Sequence, residues 1–347
     1  MTMISEANKA KARALTARLT LEEKIGMIHG AALFHTAPVE RLGIPAMTFD
    51  DGPMGVRADT HDDDWAPLHN TRDAVTYLPS GSAVASTWNP ALARLTGETL
   101  GQEARGRGKD VILGPSINIK RSPLCGRNFE YMSEDPLLTA VQGTAIIDGV
   151  QESDVAACPK HFAANNQETD RLDVNESIGE RALREIYLPA FRAAVQQGGA
   201  LTIMGAYNLV NGTQCCESEE LLDRILRDEW GFDGLVVSDW SAVKNTEASA
   251  KVGLDVEMGV TPNFDDYYFA RPLLEAVRDG RVSEEDVDCK VEHVLAVMDA
   301  LNMLGDARAA RKAGSYATLA HAQAALSVAR ESIVLLKNSA GVLPLDE

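Results

Sequence analysis

GLVVSDW, residues 234–240, runs from a glycine through an apolar stretch to an aspartate and a tryptophan. A short, continuously apolar run of this kind reads as a strand covered on both faces, as in a parallel sheet flanked by helices. Six further stretches share the pattern: AMTFDD (46–51), AVAST (83–87), DVILGP (110–115), VAACPKHF (155–162), ALTIMGAY (200–207) and GLDVEMG (253–259). Helical patterns lie between them, so the chain reads as α/β, with seven βα-like units. Polar residues collect at the last positions of successive strands: Asp50-Asp51, Lys160-His161, Tyr207, Asp239-Trp240 and Glu257. A (β/α)8-type, TIM-like barrel builds its site from that rim. An open doubly wound sheet gathers its chemistry at one switch point beside a glycine-rich turn. No GxGxxG follows the first strand, and the barrel is favoured.

Helix starts are legible between the strands. Asn89-Pro90 and Asp135-Pro136 each set a capping side chain before a proline. Thr20 with Glu23 fits a capping box, and Ser283 with Asp286 is a looser acidic version. ERALREIYLPAFRAAV (180–195) and LLDRILRDEW (221–230) carry stripes of apolar residues that face a sheet. Residues 1–305 are therefore expected to form the barrel. From 306 onward an alanine-rich stretch leads to a helix around 316–336, then to KNSAGVLPLDE (337–347), which resembles the beginning of a strand. Residues 306–347 read as a linker and the start of a truncated second domain.

The chain has 347 residues with a net charge of −18, a balance that argues against sequence-independent nucleic-acid binding. No apolar run approaches the roughly 18–20 residues of a membrane span. The first residues are charged and alanine-rich, unlike a signal peptide, and five irregularly spaced cysteines suit a reduced compartment. A cytoplasmic protein is expected. No cofactor motif or metal-ligand spacing is present; His61 to Asp64 read as a solvated acidic loop.

Asp239 has two readings. It caps the segment SAVKNTEASA (241–250), or it is a carboxylate nucleophile on a rigid strand end, with Trp240 as a face for a sugar ring. Lys160 and His161 are adjacent donors suited to neighbouring hydroxyls, and the lysine's charge favours an ionised aspartate nearby. Asp51 lies in DGPMGVR (51–57), on a turn shaped by Gly52, Pro53 and Gly55. RSPLCGRNFEYMSEDP (121–136) adds arginines and an aromatic pair, and is equally a loop laced by salt bridges. Tyr207 either orients the nucleophile or is a buried tyrosine.

Together LTLEEKIGMI (19–28), DGPMGVR, GRNFEYMSEDP (126–136), KHFAANNQETDR (160–171), MGAYNLVNG (204–212), EWGFDGLVVSDW (229–240) and ESIVLLKN (331–338) resemble the N-terminal barrel domain of glycoside hydrolase family 3, in its bacterial β-glucosidase branch. The resemblance implies that Asp239 is the catalytic nucleophile. It implies that Asp51, Arg57, Arg127, Lys160, His161, Arg171, Met204, Tyr207 and Trp240 line the subsite for the terminal sugar. The implied activity is a retaining, exo-acting β-glucosidase. In that branch the acid/base is a glutamate on an α/β-sandwich domain following the barrel, which is not expected within this chain. The N-acetylglucosaminidase branch instead carries a histidine after the lysine–histidine pair, where this chain reads AANN. Glu130, Glu168 and Glu257 are the carboxyls to locate near the pocket. A β-xylosidase or other exo-glycosidase of the family, and a catalytically incomplete sugar-binding barrel, are the competing expectations. The expected partner is a β-glucoside rather than nucleic acid or membrane, and an apolar face left uncovered would favour a homo-oligomer.

Overall fold

Phe49–Asp51 lies parallel to Val111–Leu113, and Val111 and Ile112 pair in turn with Ala156 and Ala157. Isolated parallel bridges continue the succession, Ser116 with Lys160 and Phe162 with Gly205. Thr202–Gly205 then runs parallel to Leu235–Ser238, Val237 bridges Val256, and Glu257 bridges His29. Gly30 pairs with Thr36, and His35 with Thr48, beside the first strand. The computed structural model describes residues 4–345. Its α/β character follows from the apolar runs: Phe49, Val111–Leu113, Ala156–Cys158 and Leu235–Val237 are all fully buried between helices and the interior.

Two flanking helices show how tightly the layers pack. Pro90–Gly106 and Pro136–Gln151 begin at Asn89 and Asp135, whose side chains accept backbone N–H groups of the first turn. Where they cross, a Cβ on Gly97 would lie 2.1 Å from the Ile146 carbonyl oxygen, so only glycine permits the approach. The two capping boxes form as read, at Thr20 with Glu23 and Ser283 with Asp286. ERALREIYLPAFRAAV winds from Glu180 to Gln196 with a wide turn over Leu183–Tyr187, where Leu188 N–H reaches back to Leu183 before Pro189, which has no N–H to give.

Three expectations are corrected. AVAST is the helix Gly81–Ser86 rather than a strand. Its alanines are better helix formers than strand formers, and Ser80 supplies the cap by accepting from Ala83 N–H. GLDVEMG pairs only through single bridges at Val256 and Glu257. The C-terminal helix spans Leu319–Ser332 and stops before the apolar run; Ile333 to Leu336 are exposed, and no strand is present among residues 333–345. Its start is held by His321, whose Nδ1 lies 2.8 Å from Glu103 Oε1. No helix among the described residues is long and apolar enough to cross a membrane.

Candidate active site

Asp239 follows directly on Leu235–Ser238, and its N–H donates to the Gly205 carbonyl, fixing it at the shared end of two paired strands. The capping reading fails: the next helix, Thr246–Ala250, is capped by Asn245. One carboxylate oxygen, Oδ1, accepts from Trp240 N–H at 2.8 Å. The other, Oδ2, is buried 3.6 Å from His161 Nε2 and 4.0 Å from Arg127 Nη1. None of these three atoms has a hydrogen-bond partner. Unpaired polar atoms at such depth are costly, and here three of them converge on one point.

The remaining residues surround that point. Lys160, buried beside His161, brings Nζ to 3.9 Å from Asp51 Oδ1, and Arg57 Nη1 donates to Asp51 Oδ2 at 3.3 Å. The Arg57 guanidinium lies over the rings of Trp65 and Phe34, at 4.9 and 5.5 Å. Phe34 also packs at 5.3 Å on Trp240, whose indole N–H donates to the Leu33 carbonyl at 2.8 Å. Across the pocket Arg171 covers the Tyr207 ring at 4.5 Å and pairs with Glu168 at 2.7 Å. Met204 is buried within Thr202–Gly205, with its backbone tied to Pro159 and Phe162. Asp51, Arg57, Arg127 and Lys160 line one cavity of about 510 Å³, flanked by the exposed rings of Tyr77 and Phe129.

Burial and neighbouring charge shift several of these groups. Burial pushes the Asp239 carboxyl up, against the pull of Arg127 and Lys160. His161 is driven well below the ordinary imidazole value, first by burial and then by Arg127, Lys160 and Arg171, so it is neutral at pH 7. Burial opposes the Arg127 charge, but Glu130 and Asp239 more than restore it. Tyr207 is raised by burial and by its neighbour Asp239, and keeps its proton.

Of the carboxyls named from sequence, Glu130 and Glu168 do lie beside the cluster, each against an arginine. Glu130 holds Arg127 Nε at 2.7 Å and accepts from Ser116 Oγ at 2.7 Å. Glu168 accepts from Arg171 and Asn165. Glu257 is turned away from that ion-pair cluster and accepts from Phe269 N–H at 2.6 Å; burial pushes it up to about 7. The Tyr131 hydroxyl donates to the Asn165 carbonyl and stands 3.4 Å from His161 Nδ1. Phe34 and Trp65 gave no advance signal, because aromatic stacking across 30 residues leaves no local pattern.

Residues 40–297 match the family model for the glycosyl hydrolase family 3 N-terminal domain. The chain belongs to glycoside hydrolase family 3. A β-glucosidase from Bacteroides ovatus, BoGH3A, is 44% identical over 333 residues, covering 93% of this chain and 44% of that protein. An exo-α-(1→6)-L-arabinopyranosidase from Bifidobacterium longum is 41% identical over 94% of this chain and 42% of its own length. The solved structure of β-glucosidase 3B from Thermotoga neapolitana in complex with α-D-glucose superposes with a TM-score of 0.87 at 38% identity, covering 97% of this chain and 48% of that one. This family 3 chain thus spans less than half the length of the curated relatives it matches.

Proposed function

We propose that this chain carries the sugar subsite and the nucleophile of a retaining, exo-acting β-glucosidase. The observation that bears the most weight is the buried, unpaired Asp239 Oδ2 facing unpaired His161 Nε2 and Arg127 Nη1. Support also comes from β-glucosidase relatives and from the glucose held by the Thermotoga neapolitana neighbour. On the same reading residues 1–305 form a closed (β/α)8-type barrel and 306–347 a connecting segment. The backbone pairs that lead from Phe49 through Leu235 to Glu257, His29, Thr36 and back to Thr48 favour closure.

In the proposed reaction Asp239 Oδ2 attacks the anomeric carbon of a terminal β-glucosyl residue. The bond to the leaving oxygen breaks with its electron pair, and a glycosyl ester forms. Water then attacks the same carbon from the opposite face, giving its proton to a base outside this chain or to solvent; the ester bond breaks back to the Asp239 carboxylate, and glucose leaves with retained configuration. Arg127 and Lys160 favour the ionised nucleophile, and neutral His161 accepts a sugar hydroxyl at Nε2. Asp51, oriented by Arg57 and Lys160, accepts from hydroxyls remote from the cleaved bond. Glu130 and Glu168 are committed to arginines, so the proton for the leaving oxygen is assigned to a group outside this chain. Activated aryl glucosides, which need no such proton, are the substrates expected to react with this chain alone, and cellobiose the poor one. General acid help is worth typically about 10²–10⁴-fold.

Chemical rescue tests the role of Asp239. The protein should release a burst of dinitrophenol from dinitrophenyl β-glucoside, and Asp239→Ala should release none unless azide is added, when α-glucosyl azide should form. A burst from the alanine variant without azide removes the proposal. The Bifidobacterium longum relative favours one second reading, an exo-glycosidase for another pyranose. A larger burst with the aryl α-arabinopyranoside than with the glucoside would select it.

A further inference from the structure

We propose that Arg107 is a positioning residue for the sugar subsite, acting through the loop that follows Asp51 and carries Arg57; this rests on the glycosidase reading above. Residues 52–58 have no regular structure, and the loop enters through Gly52 at φ 146° and turns again at Gly55 at φ 134°. Such a segment needs an outside anchor to hold Arg57 in place beside Asp51. The Arg107 side chain is fully buried beneath it. Nη1 donates to the carbonyls of Val56 and Arg57 at 3.1 and 2.5 Å. Nη2 donates to Asp59 Oδ1 and Asp73 Oδ1 at 3.1 and 2.9 Å. The guanidinium thus grips the backbone of Arg57 itself.

Lys109, two residues on, completes the anchor. Its Nζ pairs with Asp59 at 2.7 Å and with Asp50 at 2.9 Å, so the cation spans the far end of the loop and the residue before Asp51. Arg107 ends the helix Pro90–Gly106, and Gly108 at φ 81° turns the chain into Val111–Leu113, which is the strand paired with Phe49–Asp51. One rigid helix-to-strand corner therefore holds both ends of the subsite loop. A planar fork with several fixed donors is required; a lysine ammonium at 107 cannot reach two carbonyls and two carboxylates in one plane. Small misplacements of a binding group cost on the order of tenfold to a hundredfold.

The test uses Arg107→Lys, Asp73→Asn and, as a control, Arg227→Lys, which disturbs a buried arginine–aspartate pair away from the loop. Each is titrated with dinitrophenyl 2-deoxy-2-fluoro-β-glucoside to separate inactivator affinity from the saturating rate, and residues 52–59 are followed by hydrogen exchange. Arg107→Lys should weaken affinity about tenfold or more, leave the saturating rate within about twofold, and speed exchange of the loop. Asp73→Asn should do the same to a smaller degree and covers the case in which Arg107→Lys does not fold. Arg227→Lys should lower the melting temperature without moving affinity. Equal affinity changes in Arg107→Lys and Arg227→Lys, or unchanged affinity with unchanged loop exchange in Arg107→Lys and Asp73→Asn, overturn the proposal. If the unmodified protein takes no label, the glycosidase reading has failed, and the loop exchange alone then decides whether Arg107 anchors residues 52–59.

Discussion

His161 Nε2 faces Asp239 Oδ2 across 3.6 Å with no hydrogen bond between them. The reason lies behind the ring. The Tyr131 hydroxyl spends its proton on the Asn165 carbonyl, so toward His161 Nδ1 it offers a lone pair, and the Nδ1–H tautomer suits it. Nε2 is then an acceptor opposite another acceptor. A ligand hydroxyl can donate its one proton to either of them, and the other then needs a second donor.

The pH dependence of labelling by a fluoroglucoside follows from these two groups. On the proposed mechanism Asp239 reacts as the carboxylate, and burial raises its pKa, so labelling is lost as pH falls through a value above the ordinary 3.8. His161 is already neutral, so no inflection is expected near 6.5. A rate profile between pH 4 and 8 checks the first, and an NMR titration of the His161 ring checks the second; protonation of His161 near 6.5 would contradict the buried, neutral imidazole.

Glu130→Gln removes the anion that holds Arg127 Nε at 2.7 Å while preserving shape and the bond from Ser116. Glu130 and Arg127 form an ion pair without a hydrogen bond between Nε and Oε1, and removing one partner of a largely buried pair is costly, so the second-order labelling rate should fall roughly tenfold or more. An unchanged rate would mean that Arg127 keeps its position without Glu130.

Glu257 gives a stability test free of activity. Its folded pKa of about 7 exceeds the ordinary 4.5, so the folded state retains a proton that the unfolded state has lost between those values. Unfolding free energy therefore falls as pH rises from about 4.5 to 7 on this group's account. Glu257→Gln keeps an acceptor for Phe269 N–H and should be stabilising at pH 8, by up to about 3 kcal/mol, with little effect at pH 4.5. Denaturant melts at the two pH values measure it, and equal stability of the two proteins at pH 8 contradicts it.

Much of the frame was legible because it rests on local rules. GLVVSDW, AMTFDD and DVILGP are continuously apolar, and their central residues pair as parallel strands. Asn89, Asp135, Thr20 and Ser283 announced helix starts through capping chemistry that spans two or three residues. AVAST misled because small residues do not distinguish a buried strand from a helix with a good cap. Strand ends pointed to Asp51, Lys160, His161, Tyr207 and Asp239 as neighbours, and Glu130 and Glu168 were flagged as carboxyls, but which groups they hold did not show. Arg107 meets Asp59 and Asp73 across 48 and 34 residues, and Glu130 meets Ser116 across 14, distances at which no periodicity operates.

The most direct measurement is mass spectrometry of peptides after incubation with dinitrophenyl 2-deoxy-2-fluoro-β-glucoside. One fluoroglucosyl group on the peptide containing Asp239, absent from Asp239→Ala and blocked by excess glucose, is the expected result. Label on another carboxylate, or none on Asp239 when the dinitrophenol burst is stoichiometric, would contradict the assignment of the nucleophile.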